Sequence, residues 1–356
     1  MNVGVPKEIK PLEGRIALTP AAVRELVRAG HTLYVQTGAG DASGYPDDDY
    51  RMAGATLLPD SAALYEHARL IVKVKEPIAA EYRLLRPEHV LFSYLHLAAN
   101  PGLTRVLQAK RLTAVAFETV PHGRRLPLLA PMSAIAGKLA VQIGATLLHA
   151  PRGGRGVLLG GQGDAERGRV VVLGAGEAGG AAAAQAVALG AEVTVFARSP
   201  ESLARMRALG SKVQALVSTP EAIGAALHAT DLLIGAVLTT GARAPRLVTE
   251  HMVQAMPRGA VIVDVSVDQG GCIETIRPTD YSNPTYVLHG VTHFAVTNMP
   301  GAVPRTASQA LSAVLLPYVL RLARPEWRED ADLLAGVNVL DGELVHPAVA
   351  AALKNV

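Results

Sequence analysis

Three groups of residues in this 356-residue chain have the types and spacing for chemistry. The first is Gly174-Ala175-Gly176-Glu177-Ala178-Gly179, directly after the apolar run Arg169–Leu173 and before an alanine-rich stretch. Between a strand and a helix, this spacing suits the pyrophosphate of a dinucleotide. Gly174 permits the tight turn, Gly176 lets the backbone approach the ligand, and Gly179 allows close helix–strand packing beneath a helix N-terminus with free N–H groups. The fingerprint also asks for an acid ~20 residues on, to hold the ribose 2′-hydroxyl. The next apolar run, residues 192–196, leads instead to Ala197, Arg198 and Ser199. A small residue followed by Arg and Ser suits a 2′-phosphate, which admits NADP(H) beside NAD(H). Equally, Ser199 could cap a helix beginning at Pro200 while Arg198 is merely solvated.

The second group is Arg15, Lys75 and His96. Arg15 lies in Glu13-Gly14-Arg15-Ile16-Ala17-Leu18-Thr19-Pro20, and Lys75 and His96 each follow the carboxyl end of an apolar run. Open α/β sheets bind ligands outside those ends, so the three can converge on one sheet edge. A guanidinium makes paired hydrogen bonds to a carboxylate, an ammonium supplies a point charge, and imidazole as a class titrates near neutral pH. Taken singly, each has an ordinary alternative as a solvated cation or a structural histidine. The third group runs from Val263 to Cys272. Asp268 falls there in a glycine-containing turn past a strand end, where a catalytic carboxylate would face a nicotinamide on the same sheet. Its side chain could instead simply form the turn. Cys272 has no basic partner nearby in sequence and reads as buried, not nucleophilic.

The elements that must position these groups follow from periodicity. Short apolar runs alternate with amphipathic segments, the pattern of βαβ units on a mainly parallel sheet. Strands are expected at Asn2–Val5, Thr32–Gln36, residues 70–74, Val90–Ser93 and residues 114–117. A helix is expected from Pro20, with Thr19 as N-cap, to Ala29, stopping at Gly30. The glycine-rich residues 152–163 read as an exposed turn system. A second strand series is expected at Arg169–Leu173 and at residues 192–196, 232–236 and 261–265. Residues 298–306 form a turn-rich link that reads as a hinge, before a last helix from Ser308 to near Ala323 and a polar tail.

Composition narrows the class. The chain is 49% hydrophobic and 18% charged, which excludes a disordered protein, and its length suggests about two domains of ~150 residues. A net charge of +3 and the lack of any run of five basic residues argue against nucleic-acid binding. The single cysteine excludes an intramolecular disulfide and a multi-cysteine metal site, and no metal is expected. The start has no basic-then-apolar signal, and no uninterrupted apolar segment of ~18 residues is present, so a cytoplasmic protein without membrane contact is expected.

Taken together, these motifs resemble the alanine dehydrogenase and pyridine nucleotide transhydrogenase family. The resemblance spans Val3 to Glu8, Arg15 to Pro20, Lys73 to Pro77, Tyr94 to Ala98, Leu128 to Ser133, Gly174 to Gly179, Val267 to Cys272 and Asn298 to Pro304. It implies an α/β fold of two Rossmann-like doubly wound domains. A cofactor domain at 129–304 would be inserted into a substrate domain at 1–128 plus 305–356. The implied reaction is reversible oxidative deamination of L-alanine to pyruvate and ammonium, with hydride transfer to a nicotinamide cofactor, in a homo-oligomer, usually a hexamer. Arg15 and Lys75 would hold the substrate carboxylate and carbonyl, and His96 and Asp268 would move protons. Cofactor contacts carried over by position are Ser133, Gly174, Gly176, Ala178, Gly179, Ala197, Arg198, Ser218, Val237, Leu238, Val265, Asp268, Asn298 and Met299. Ala197 departs from the aspartate of members that use NAD, and Ser266 and Thr297 replace common alanines with no evident role. Two other readings share these motifs: an opine-type reductive condensation of pyruvate with an amino acid, and a transhydrogenase-like dinucleotide-binding subunit.

Overall fold

The apolar runs become the strands of two sheets, one in each of two units: Met1–Met132 with Gly301–Val356, and Ser133–Pro300 inserted between those pieces. The structure is a computed structural model and describes residues 1–123, 125–237 and 244–354. The chain begins with β1 (Asn2–Val5), α1 (Pro20–Arg28), β2 (Thr32–Gln36), α2 (Asp47–Met52), β3 (Thr56–Leu58), α3 (Ser61–His67), β4 (Leu70–Val72), β5 (Val90–Ser93), α4 (Pro101–Ala109) and β6 (Thr113–Ala116). These six strands are parallel and lie in the order β3-β2-β1-β4-β5-β6. Strands β4, β5 and β6 are buried along their whole length, as expected where helices cover both faces of a parallel sheet.

The second unit holds most of α5 (Ala130–Leu147), then β7 (Arg169–Leu173), α6 (Glu177–Ala188), β8 (Glu192–Ala197), α7 (Pro200–Arg207), β9 (Val213–Val217), α8 (Pro220–Leu227), β10 (Leu232–Gly235), α9 (Glu250–Gln254), β11 (Val261–Asp264), β12 (Thr285–Leu288) and β13 (Val291–Phe294). Its order is β12-β13-β11-β10-β7-β8-β9, with only β12 antiparallel. In both sheets the chain winds outward through three strands, then returns to start again beside the first. Each sheet therefore has a topological switch point, between β1 and β4 in one and between β7 and β10 in the other. That is where open α/β sheets leave a ligand crevice.

The chain closes with α10 (Pro304–Leu322), α11 (Ala331–Ala335), β14 (Val337–Leu340), β15 (Glu343–Leu344) and α12 (Pro347–Leu353) in the first unit. The expected polar tail is thus structured. Val339 of β14 pairs antiparallel with Ala114 of β6, and a hairpin through Asp341 (φ 49°) and Gly342 (φ 93°) adds β15. An Asp-Gly pair with both φ positive is the favoured two-residue hairpin turn, a signal present in the sequence. The last long helix begins at Pro304 instead of Ser308, so the preceding link is shorter than expected. Thr19 does sit at the N-cap of α1, yet its hydroxyl lies 3.2 Å from Ser312 Oγ on α10 and caps no helix N–H.

Candidate active site

At the switch point of the first sheet, Arg15 follows β1 and Lys75 follows β4. Arg15 is 3% exposed and forms a fork with Glu13, Nε donating to Oε1 at 2.7 Å and Nη2 to Oε2 at 2.5 Å. Glu13 also accepts the Arg15 backbone N–H, so the acid two residues upstream fixes the guanidinium plane. Lys75 is half-buried, and among the described residues its Nζ makes no hydrogen bond or ion pair. Burial and the neighbouring Arg15 charge lower its pKa. Such a cation is stabilised by an incoming anion that takes the place of water.

A buried charge network carries the Lys75 loop. Lys73 Nζ lies 3.3 Å from Glu8 Oε2 and 3.1 Å from Glu81 Oε1, which also accepts the Tyr65 hydroxyl. Glu8 Oε1 accepts the Val74 N–H at 2.5 Å and the Lys75 N–H at 3.3 Å. This explains why β4 stops at Val72 when the apolar run continues to Val74: a carboxylate, not a neighbouring strand, takes that amide.

His96 follows β5, the strand beside β4. It adopts a left-handed backbone conformation (φ 48°, ψ 39°), which costs a non-glycine residue ~1 kcal/mol or more. Glu118 holds it there by accepting the His96 N–H at 2.6 Å and the Leu95 N–H at 3.2 Å. The imidazole stacks on Tyr94, with ring centroids 6.0 Å apart and planes within 6°, and its side chain stays 49% exposed. Tyr94 in turn donates to Leu128 O at 2.6 Å and feels the Arg15 charge. The structure thus brings Arg15, Lys75 and His96 to one sheet edge, through supporting groups (Glu13, Glu8, Glu118 and Tyr94) that no local sequence signal singled out.

Gly174 has φ +98°, Gly176 has no atom within 4 Å of where a Cβ would stand, and a Cβ on Gly179 would run into the Gly174 carbonyl. The turn is therefore a cradle with room above Gly176 and none beneath Gly179, and α6 begins directly after Gly176. These residues fit the pyrophosphate of a dinucleotide. Ala178 lies in the first turn of α6, and the Gly137 backbone packs against its carbonyl. Ala197 ends β8, 7% exposed, with Arg198 exposed beyond it. Ser199 is the N-cap of α7, its Oγ accepting the Ser202 N–H at 3.2 Å, so that hydroxyl serves the helix. Ser218, Val237 and Val265 follow the carboxyl ends of β9, β10 and β11, on the edge that carries Gly174. Asn298 (φ 61°) and buried Met299 follow β13, and Ser133 is half-buried on α5. Leu238 lies outside the described residues.

Asp268 sits exposed in a 3-10 turn, Val267–Gln269, past β11. Among the described residues its carboxylate accepts no hydrogen bond. Gly270 (φ 91°) and Gly271 (φ 73°) make the turn instead, which leaves the acid available. The group that organises this loop is Asp264, invisible to the sequence reading. Fully buried, it accepts the Ser266 N–H at 2.7 Å and the Cys272 N–H at 2.9 Å, closing the loop at both ends. Ser266 Oγ accepts the Val237 N–H at 2.9 Å and so ties the β11 loop to the end of β10. Nothing explains Thr297. Cys272 is buried, and burial with Asp264 beside it pushes its thiol well up, so it is no nucleophile.

Burial raises the Asp264 carboxyl to about 6, against the pull of its two N–H donors. A raised acid holds its proton more tightly folded than unfolded. Its stabilising contribution is complete below the unfolded value and is lost as pH rises through about 6. The stability of the wild type relative to Asp264→Asn is expected to fall by ~2 kcal/mol between pH 4.5 and 7.5. Urea midpoints at both pH values check this, and parallel pH curves for the two proteins would refute it.

Comparison with known proteins agrees with these features. Residues 4–136 match the family model described as alanine dehydrogenase/PNT, N-terminal domain, and residues 140–347 match its C-terminal domain counterpart. The alanine dehydrogenase of Bacillus subtilis (strain 168) is 47% identical over 356 residues, covering 98% of this chain and 94% of that protein. A solved L-alanine dehydrogenase superposes with a TM-score of 0.96 at 50% identity, covering 100% of this chain and 99% of that one. A transhydrogenase from Sinorhizobium meliloti gives 0.86 at 28% identity, covering 98% and 100%. With both domain models matched across nearly the whole chain, and the glycine cradle and cation pair each at a sheet switch point, the protein belongs to the alanine dehydrogenase/PNT family.

Proposed function

We propose that the chain is an alanine dehydrogenase: L-alanine, water and the oxidised nicotinamide dinucleotide give pyruvate, ammonium, a proton and the reduced dinucleotide. The observation that carries the reading is the pairing of Arg15 with Lys75, which has no partner among the described residues, at one switch point in a chain 47% identical to a named alanine dehydrogenase over nearly its full length. The dinucleotide, held by the Gly174–Gly179 cradle, supplies the hydride acceptor at the substrate Cα. Positions 133, 178, 197, 198, 218, 237, 238, 265, 268, 298 and 299 complete its contacts in this reading. With no carboxylate at Ala197 to repel a 2′-phosphate, NADP(H) is accepted as well as NAD(H).

Arg15 and Lys75 hold the carboxylate and carbonyl of the 2-oxo acid, a fixed cation pair that orients the carbon to be attacked. His96 takes a proton from the water that adds to the imine carbon, and Asp268 exchanges protons with the nitrogen as ammonia leaves. The same reading gives a homo-oligomer, a hexamer by family resemblance, in the cytoplasm. Among the described residues no helix is long and apolar enough to cross a membrane.

The direct test mixes the purified chain with pyruvate and ammonium and follows loss of reduced nicotinamide, with NADH and NADPH in parallel. Rapid oxidation of either supports the reading. Failure with both, but turnover when an amino acid replaces ammonium, would make it the opine-type reaction instead. The carboxylate clamp has its own test. Arg15→Ala would strand buried Glu13, so the informative change is Arg15→Lys, which keeps the charge and loses the fork. It is expected to raise KM for both pyruvate and L-alanine at least ~10-fold, and an unchanged KM for both would remove Arg15 from substrate binding.

A further inference from the structure

We infer that Arg198 and Arg205 together form the seat of a 2′-phosphate, and that NADP(H) is the dinucleotide this chain prefers. The inference rests on the dinucleotide-binding reading of the glycine cradle and goes beyond mere acceptance of NADP(H). Three observations carry it. First, the strand end that would present an acid to the ribose presents the Ala197 methyl group, a side chain that neither accepts a hydrogen bond from a 2′-hydroxyl nor repels a dianion.

Second, Arg198 is exposed beside it, and among the described residues its guanidinium makes no ion pair or hydrogen bond. Third, Arg205, seven residues on in α7 and itself exposed, is tethered to the protein at its guanidinium. Its Nη2 donates to the carbonyl of Ala175, inside the glycine cradle itself. That bond fixes a guanidinium at the rim between the cradle and the end of β8. A dinucleotide whose pyrophosphate lies on the N-terminus of α6 must carry its adenosine ribose across this rim. A guanidinium has five N–H donors in a rigid fork, so Arg205 can keep the Ala175 carbonyl and still donate to phosphate oxygens. Ser199 contributes no free hydroxyl, being committed to its cap, so the recognition falls to the two arginines.

The experiment is calorimetric titration of the whole chain with NADP+, NAD+ and 2′,5′-ADP, without substrate. NADP+ is expected to bind at least ~10-fold more tightly than NAD+, with the ratio shrinking as salt is raised, because a phosphate–guanidinium contact is screened. Arg198→Ala and Arg205→Ala should each weaken NADP+ and 2′,5′-ADP at least ~5-fold while leaving NAD+ within about twofold. Ala197→Asp should reverse the preference through repulsion of the 2′-phosphate. Equal or tighter binding of NAD+ by the wild type overturns the inference and leaves the cradle reading standing. So does an equal loss of both dinucleotides in Arg205→Ala, which would make that residue a prop for the Ala175 turn. Binding of neither dinucleotide would overturn the cradle reading itself, and this inference with it.

Discussion

Replacing His96 by alanine is expected to lower kcat at least ~100-fold, the usual loss for a group that moves a proton in the rate-limiting step, with dinucleotide affinity almost unchanged. The side chain is half exposed, its ring stacking on Tyr94 and lying 4.0 Å from Glu118 Oε1, so truncation opens no cavity in the core. The backbone is the confounding factor. His96 holds a left-handed conformation that alanine tolerates poorly, so part of any loss in His96→Ala could come from a shifted loop. His96→Asn separates the two effects, because asparagine is among the residues most at ease there and cannot relay a proton as imidazole does. Both variants should show the same loss in kcat. Recovery of wild-type turnover in the asparagine variant would assign the effect to loop geometry and take His96 out of the proton path.

Asp268→Asn should be comparably damaging, at least ~100-fold in kcat, and for a reason the structure makes clean. The carboxylate holds no hydrogen bond among the described residues, and the turn around it is made by Gly270, Gly271 and the Asp264 brace. The variant should therefore keep its stability to within ~0.5 kcal/mol, as exposed substitutions usually do. Steady-state kinetics and a urea melt on the same preparation check both halves. Full activity would return Asp268 to the role of a solvated turn residue. A large loss of stability would instead show that the carboxylate braces the loop after all. The contrast with Asp264, four residues upstream, is instructive. That carboxylate spans the loop and is buried, so its replacement should act first on stability and its pH dependence.

Much of the fold was legible because its signals are local. Gly174 and Gly179 report a backbone conformation and a close approach that a Cβ would forbid, and Gly176 keeps the space above the turn open. The helix from Pro20 follows from a proline at its first position and Gly30 beyond its end, and Ser199 announces the start of α7. A strand buried on both faces must be written in apolar residues, which is why β4 to β6 and β7, β10 and β11 stand out. The hairpin through Asp341 and Gly342 carried an equally local signal that the polar composition around it obscured. The resemblance to a known family added the reaction and the roles proposed for Arg15, Lys75, His96 and Asp268.

What the sequence by itself determined, then, is which residues have side chains suited to chemistry and on which strand ends they sit. Tertiary structure alone decided which of them meet and what holds them. Parallel pairing places β1, β4 and β5 side by side, so loops some twenty to eighty residues apart in sequence share one edge, and Lys75 finds itself beside Arg15. The braces are equally long-range: Glu8 to Val74, Glu118 to His96, and Ser266 to the amide of Val237. Each is a single side chain satisfying a backbone N–H that a loop would otherwise leave unpaired, and such an obligation has no spacing rule in the chain. Local residue patterns encode backbone conformation and burial, whereas the partner of a buried donor is fixed only when the strands between them have found their register.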